Sequence, residues 1–416
     1  MIFENGRFSQ SDEVRSEIAK FAEDPSGNLR RLHWRLSRSQ FRFRPSRGVP
    51  IAKLDERGKP TGKIRPIVIA SVEARIVQRA ILNILLTLPA LIPFVRTPYS
   101  FGGLRKECTE EGLAEGNLSA VPAAIKAVLD SIERGARYCA TADISAFFTR
   151  VSKPAVSTII ANAAQDHQFM AFFDQAIKVE LSNMAALRER AAEFPIEEVG
   201  VAQGNSLSPL LGNIALAEFD REMNDADCTC IRYIDDFVIL APTRKIANAR
   251  LRKAAKLLNA LGMNLSPEKT SRGAQSIREG FEFLGIELCP GLIRPAPRAQ
   301  LKLLSKVAAI LEQGKRGMVG LRNGQCLERS QSLLGVLKAL DGTVSGWGKH
   351  YWFCNDGQTF EGLDRKIWDS LMGYLGCYTE VRGAISDDVK PFALGLSQLR
   401  ILDRQPLAYP RVQDWR

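Results

Sequence analysis

Apolar positions along the chain fall mostly into runs at helical spacing, interrupted by a few strand-like runs and by clusters of Gly, Pro, Asn and Asp. Residues 11–21 and 29–38 read as short helices. From about 41 to 69 the pattern is extended, and the segment Asp55–Gly62, with two glycines and a proline between apolar runs, predicts a hairpin turn. From Ser71 to about Leu88, Ile76, Ala80, Ile84 and Leu88 recur at spacing four, which predicts a helix. A connector at Phe101-Gly-Gly leads to a helix over about 122–134, and Tyr138–Asp143 predicts a short strand. Helical patterns run from about 154 to 192. Ser208-Pro209 opens a further helix with Leu211, Ile214, Ala215, Phe219 and Met223 on one face, Pro suiting the first turn. Cys230–Leu240 predicts strand–turn–strand, residues 244–261 a basic amphipathic helix, and Phe281–Leu288 a strand. Helices follow near 298–313, 327–345 and 360–376. The βαβ-like middle and helical end predict a catalytic unit of mixed α and β structure followed by a helical module.

Composition narrows the class. Among the 416 residues, 45% are hydrophobic and 25% charged, which excludes wholesale disorder. The longest apolar stretch, Ile81–Phe94, is too short for a bilayer span and contains Asn83, Pro89 and Pro93. The first ten residues hold no apolar core of a signal peptide. These features predict a cytoplasmic protein with no membrane association. The eight cysteines form no C-x-x-C pair, and the three histidines do not stand at zinc-ligand spacing, so no zinc site is expected.

Charge adds a location. The formal net charge is +11. Between Asn28 and Arg79 stand fourteen bases and three acids, which is the whole excess; the remainder is neutral. The segment is Arg-rich and interleaved with Trp34, Phe41 and Phe43. Guanidinium planes fork onto phosphates and aromatic faces stack bases, so a polyanion site is predicted here.

The sharpest chemistry lies further on. In Arg232-Tyr-Ile-Asp-Asp-Phe-Val-Ile-Leu240, two consecutive aspartates break an apolar run. Adjacent carboxylates repel, so a tight turn presenting them to a cation is expected, and oxygen ligands suit Mg²⁺. A second strand, Tyr138–Phe148, carries Asp143. If the two strands are neighbours, Asp143 and Asp235 meet at one sheet edge, where carboxylates around two Mg²⁺ ions serve phosphoryl transfer. Between them, Gly200–Pro209 is a Gly-containing loop entering a helix, suited to close approach by a ligand.

These residues resemble the reverse transcriptase family. Tyr233-Ile-Asp-Asp236 resembles its Y-x-D-D motif, and Asp143 to Phe148 its first aspartate motif. Gln203-Gly-Asn-Ser-Leu-Ser-Pro209 resembles Q-G-x-x-x-S-P. Asn264–Thr270 resembles the segment carrying the family lysine, here Lys269. Phe281–Ile286 resembles the primer grip, and Lys63-Ile-Arg-Pro-Ile67 with Arg75-Ile-Val-Gln78 the fingers motif. The resemblance is closest to bacterial, group II intron-like enzymes, with Ser345–Trp352 similar to their thumb. Ala202, Ala74 and Thr149 depart from the usual Pro, Asp and Asp, and no Cys-rich endonuclease follows. These departures are similar to the stand-alone unknown-group enzymes, several of them defence-associated, with the class 2 type favoured.

The resemblance implies an α+β right-hand polymerase. Its parts would be a basic helical extension at 1–40, fingers at 41–135 with part of 150–200, a palm of antiparallel sheet and helices at 136–290, and a helical thumb and tail at 291–416. It implies RNA-directed DNA synthesis from dNTPs, with an RNA template, a DNA primer or product and two Mg²⁺ ions as partners. Asp143, Asp235 and Asp236 would be the catalytic metal ligands. Lys63, Arg65, Arg75, Gln203, Gly204 and Lys269 would contact the nucleotide, and Phe148 would exclude a ribose 2′-hydroxyl. Arg31, Arg35, Arg38, Arg42, Arg44, Trp347 and Tyr351 would contact nucleic acid, Trp352 with them. A role in antiphage defence with a dedicated non-coding RNA is the expected setting. The alternatives are a maturase-like RNA-binding protein of a mobile element, and template-independent or protein-primed synthesis.

Overall fold

Side-chain caps fix where the first helices start. In the computed structural model, the Ser11 hydroxyl accepts from the backbone N–H of Val14 to open α1 (Asp12–Glu23), and the Asp24 carboxylate caps α2 (Pro25–Ser37), which begins on a proline. The structure describes residues 11–54, 60–95, 97–103, 119–225, 227–397 and Leu407. Most of the hairpin tip expected at Asp55–Gly62, along with Cys108 and most of the expected C-terminal tail, lies outside the described residues. The chain divides into two compact units, Met1–Glu279 and Gly280–Arg416. This division precedes the expected palm–thumb boundary and puts the Phe281–Ile286 segment in the second unit.

In the first unit, β1 (Arg47–Leu54) and β2 (Pro60–Ile69) pair antiparallel as a long hairpin. Helix α3 (Val72–Leu85) follows, capped by Ser71. Its buried face is Val72, Val77, Ile81, Leu82 and Leu85, not the spacing-four row seen in the sequence; Ile84 of that row is half exposed. The two rows are offset on one helix, and the wider one meets the core. Among the described residues, no single helix is long and apolar enough to cross a membrane. The apolar stretch after α3 bends by 92° into Pro89–Val95.

The central sheet is built from β3 (Ser100–Phe101), β4 (Tyr138–Ser145), β5 (Thr229–Tyr233), β6 (Asp236–Ala241), β7 (Asn264–Leu265) and β8 (Gln275–Ser276). Its order is β3-β5-β6-β4-β7, with β8 also on β4. Only β3–β5 is parallel; all other pairs are antiparallel. Helix α4 (Ala120–Glu133) lies between β3 and β4 in the chain. After β4 come α5 (Lys153–Ala164) and α6 (His167–Ile177), which pack on each other. The helical patterns expected from about 154 to 192 form these two helices as far as Ile177; after an irregular stretch come a short helix, Met184–Leu187, and a 3-10 helix, Arg188–Glu193. The helix expected from Ser208 breaks at Leu216 into α7 (Ser208–Ala215) and α8 (Ala217–Met223), yet Leu211, Ile214, Phe219 and Met223 are all buried as expected. Helix α9 (Arg244–Ala260) packs on β4 and β6. One buried cluster joins these layers, including Phe237 and Ile239 of β6, Ala142 and Ile144 of β4, and Leu211 and Phe219.

In the second unit, the expected strand Phe281–Leu288 is a hairpin of β9 (Phe281–Phe283) and β10 (Ile286–Cys289), with β11 (Leu292–Pro295) as third strand. Leu284 and Gly285 take φ +55° and +74°, the left-handed pair of a two-residue hairpin turn. Three long helices follow: α10 (Pro297–Arg322), α11 (Leu333–His350) and α12 (Gly357–Ala384), packed around Leu303, Val307, Leu340, Ile367 and Tyr374. Mixed strands and segregated helices make the chain α+β.

Candidate active site

Antiparallel register brings the aspartates together. Asp143 on β4 stands directly opposite Asp236, the first residue of β6. The two-residue turn Ile234-Asp235 joins β5 to β6 and adds the third carboxylate. One carboxylate oxygen from each of Asp143, Asp235 and Asp236 lies within 4.8 Å of the others. Ile234 takes φ +60°, a region that β-branched residues rarely enter, and Ala146 beyond Asp143 takes φ +52°. Such strain gathers where surrounding structure overrides local preference.

Here the override is visible. The Arg232 side chain is fully buried. Its Nε donates to Asp220 Oδ1 at 2.7 Å, its Nη2 to Asp220 Oδ2, and its Nη1 to the Ile234 carbonyl at 2.9 Å. Asn213 of α7 accepts a further bond from Nη2 at 3.3 Å. The Asp235 carbonyl accepts from the Ile144 amide at 2.9 Å, which ties the turn back to β4. Arg232, Asp220 and Asn213 did not stand out in the sequence as site residues. Their signal is an arginine inside an apolar strand run: a buried guanidinium needs a carboxylate partner.

The acids themselves are poorly compensated. Burial raises the Asp235 carboxyl above the usual range, and the Asp143 charge raises it further, partly offset by its backbone bond, Lys269 and Arg65. Burial and the charges of Asp235 and Asp143 push Asp236 up to about 7. Lys269 Nζ donates to Asp143 Oδ2 at 2.6 Å. Burial pulls the Lys269 ammonium down, but its bond to Asp143 and the attraction of the three carboxylates leave it above its ordinary value. An all-oxygen donor set carrying excess negative charge fits a hard divalent cation.

Other predicted residues approach from β2 and the Gln203 loop. Lys63 pairs with Glu268, the neighbour of Lys269, at 2.9 Å, and Arg65 is close enough to lower Asp235. The Val68 amide donates to the Gln203 carbonyl at 3.0 Å. Gly204 has φ +113°, and a Cβ there would stand 2.9 Å from the Val68 carbonyl oxygen, so only glycine fits. Phe148 is half-buried against the core, whereas Phe147 is fully buried. Arg75 is set apart: burial lowers its pKa, its neighbouring charge is Glu17 of α1, and its Nε and Nη2 have no hydrogen-bond partner among the described residues.

The predicted nucleic-acid residues divide. Arg35 pairs with Glu73, Arg31 with Asp24 at 3.5 Å, and Arg42 with the carbonyls of Ser39 and Phe41. Arg38 lies 4.6 Å over the half-exposed Trp34 ring. Arg44 is exposed. In the second unit, the Tyr351 ring is 8% exposed and packs 4.4 Å from Trp347, so its face is occupied by protein; Trp352 is the exposed ring there.

The family model for reverse transcriptase (RNA-dependent DNA polymerase) matches residues 53–288. The chain belongs to the reverse transcriptase family. Protein YkfC of Escherichia coli (strain K12) is 25% identical over 269 residues, covering 55% of this chain and 64% of that protein. The chain therefore spans less than two thirds of that curated relative. Among solved structures, telomerase from Candida albicans in complex with a fragment of telomeric RNA aligns at a TM-score of 0.39 and 13% identity, over 84% of this chain and 61% of that one. A Cas6-RT-Cas1–Cas2 complex aligns at 0.30 and 17%, over 59% and 25%. Overlaps of this size carry no functional weight.

Proposed function

We propose that the chain is an RNA-directed DNA polymerase that extends a DNA 3′ end along an RNA template with dNTPs, using Mg²⁺ held by Asp143, Asp235 and Asp236. The observation that supports this reading is the carboxylate triad within 4.8 Å, opposite in register and left short of positive charge in a reverse transcriptase chain. When bound, two Mg²⁺ ions supply the positive charge that activates the primer hydroxyl and steadies the leaving pyrophosphate. Lys269 keeps its proton beside Asp143, which suits it to meet negative charge on the triphosphate. Arg65 and Lys63 on β2 bring further cations toward the same acids. Gln203 and Gly204, fixed to the Val68 backbone, form the close wall for the nucleotide. Phe148 serves as the gate against a ribose 2′-hydroxyl, held between the first aspartate motif and the Val201 amide, which donates to its carbonyl at 2.7 Å.

Arg38 on Trp34 and Arg44 are the basic-segment side chains best placed to receive phosphate, since Arg31, Arg35 and Arg42 already have partners. Arg75 fits a triphosphate less well than Arg65, its unpartnered donors notwithstanding. In the second unit, Trp352 replaces Tyr351 as the stacking ring. The biological setting we favour is antiphage defence with a dedicated non-coding RNA, which rests on the resemblance to stand-alone bacterial enzymes.

The test is primer extension on an RNA template with Mg²⁺ and dNTPs. The reading requires cDNA of template sequence, lost with chelator and lost in Asp235→Ala. Product whose sequence ignores the template would replace this reading with template-independent synthesis. Sequencing nucleic acid co-purified with the protein from cells tests the setting: one enriched structured RNA supports it, and a random transcript sample sinks it.

A further inference from the structure

A further buried charge stands ten residues after Asp143. Lys153, the first residue of α5, is 7% exposed although it carries an ammonium group. Burying an ammonium is costly unless its protons meet acceptors. Here Nζ donates to the Pro195 carbonyl at 3.1 Å and to the Glu197 carbonyl. Burial lowers its pKa, and the Glu198 charge partly offsets this. An apolar side chain of the same length would fill the space without that cost, but it would leave the two carbonyls without a donor.

Those carbonyls belong to the segment that leads into the Gln203 loop. It runs antiparallel beside the chain that follows Phe148. The Lys153 amide donates to the Glu198 carbonyl at 3.1 Å, the Gly200 amide to the Val151 carbonyl at 2.7 Å, and the Val201 amide to the Phe148 carbonyl at 2.7 Å. Ser152 and Val199 form an antiparallel bridge between these bonds. Gly200 takes φ +96°, and a Cβ there would stand 2.6 Å from the Pro195 Cβ and 3.0 Å from the Thr149 carbonyl oxygen, so the two chains meet without slack. The joint also connects two cores. Phe147, Val151 and Val201 are buried in the cluster of the central sheet, with Phe148 packed against it. Phe194 and Ala202 are buried in a second cluster with Ile64 and Val68 of β2. Phe148 therefore rides on one core and the Gln203–Gly204 wall on the other, and the Lys153 ammonium clamps the joint between them.

We propose that Lys153 is a positioning residue for sugar selection: by holding the Pro195 and Glu197 carbonyls against the start of α5, it fixes the spacing between the Phe148 ring and the Gln203–Gly204 wall. Lys153 touches no nucleotide itself. Room for a 2′-hydroxyl depends on small displacements of the ring, so a clamp outside the site can govern it. The inference rests on the polymerase reading and on Phe148 as its gate, and it adds the residue that keeps the gate at its distance.

The experiment uses the full chain in single-nucleotide extension of a DNA primer on an RNA template, with dNTPs and rNTPs in separate reactions. kcat and KM are measured for wild type, Lys153→Met, Lys153→Arg and Phe148→Ala. Lys153→Met keeps the length of the side chain and removes its donors. It should lower the preference for dNTP over rNTP about tenfold, about fivefold from faster rNTP addition and about twofold from slower dNTP addition. Lys153→Arg keeps the charge and the donors on a bulkier planar head, and should lose about threefold. Hydrogen exchange read by mass spectrometry should quicken at residues 199–203 in Lys153→Met and stay unchanged in β4 and β6. The inference is overturned if a folded Lys153→Met keeps the wild-type preference, or if it loses dNTP and rNTP extension in equal proportion, as a merely structural residue would. Should Lys153→Met not fold, Lys153→Arg decides, and an unchanged preference there refutes the clamp. Phe148→Ala separates the clamp from the reading beneath it. Lost preference in Phe148→Ala with normal preference in both Lys153 variants defeats the clamp and leaves the polymerase reading standing. Wild type that makes no cDNA defeats the polymerase reading and the clamp with it.

Discussion

Two charged clusters share one hairpin, and they are built on opposite principles. Arg232 and Asp220 are a buried pair of opposite sign, with the guanidinium bonded to both Asp220 oxygens, to Asn213 and to the Ile234 carbonyl. Asp143, Asp235 and Asp236 are like charges, pressed together, and the cation that answers them at hydrogen-bond distance among the described residues is Lys269. The first cluster is satisfied in the chain as it stands; the second, on the reading proposed above, is satisfied by a bound cation. The difference shows how a fold keeps mutually repelling groups in place: the neutralised pair grips the very turn whose other end carries Asp235. Burying an ion pair adds little net stability over an apolar core, so its value here is position.

The largest effect comes from breaking the acid cluster. Asp235→Ala should lower primer extension about a thousandfold or more, since on the proposed reading it removes a metal ligand from phosphoryl transfer. A chelator-controlled extension assay measures it, and near-normal product would end the assignment. The variant should remain folded, because the cluster opposes folding when no cation is bound.

Breaking the neutral pair should do the reverse to stability. Arg232→Met or Asp220→Ala leaves a buried charge without its partner, at a cost of about 3–5 kcal/mol. Urea unfolding reads the loss directly. Arg232→Lys is the finer probe. It keeps the charge but lacks the planar fork that reaches Asp220 and Ile234 together. It should therefore retain the fold, lose kcat with little change in nucleotide KM, and need more Mg²⁺ for half-maximal rate. A variant with normal Mg²⁺ dependence would show that Arg232 is structural only.

A smaller effect of opposite sign is expected at Asp236. Its folded-state pKa is raised to about 7, above the ordinary 3.8. Below the lower value both states are protonated and nothing is lost. As pH rises between the two, the unfolded chain ionises first, so wild-type stability falls until the folded group ionises too. In chelator, Asp236→Asn should thus match wild type near pH 4 and exceed it by about 1–3 kcal/mol above pH 7, the span allowing for partial solvation. Thermal unfolding across this range checks the sign. Saturating Mg²⁺ should cancel the advantage, because the wild type then binds a cation through this group.

The two clusters were not equally legible in the sequence. Asp143, Asp235 and Asp236 announce themselves because acids inside apolar strand runs violate the pattern on which those strands depend. Arg232 violates it too, but its partners Asp220 and Asn213 sit on helices whose register with the strand no local pattern encodes. The same limit explains α3, where the spacing-four row was visible and the buried row was the offset one. It also explains Phe281–Leu288, where a turn of Leu and Gly hides inside an apolar run that reads as one strand. The basic segment shows the limit from the other side. Counting located the +11 correctly, but only contacts reveal that Arg31, Arg35 and Arg42 already have partners within the protein.

The smallest effect separates buried from exposed pairing at the rim of the same site. Lys63 and Glu268 pair at 2.9 Å, but both side chains are largely in water, at 63% and 75% exposure. Exposed pairs contribute little to stability and are screened by salt. Glu268→Gln should leave the melting temperature unchanged, in contrast with Asp220→Ala. It should, however, free Lys63 to face the triphosphate, because the carboxylate no longer competes for the ammonium. The expected result is a fall of about twofold in nucleotide KM at low salt, fading as ionic strength rises. A raised KM would mean that Glu268 holds Lys63 in its working position, and Lys63 would then belong with Arg232, as a charge useful because it is fixed by a partner.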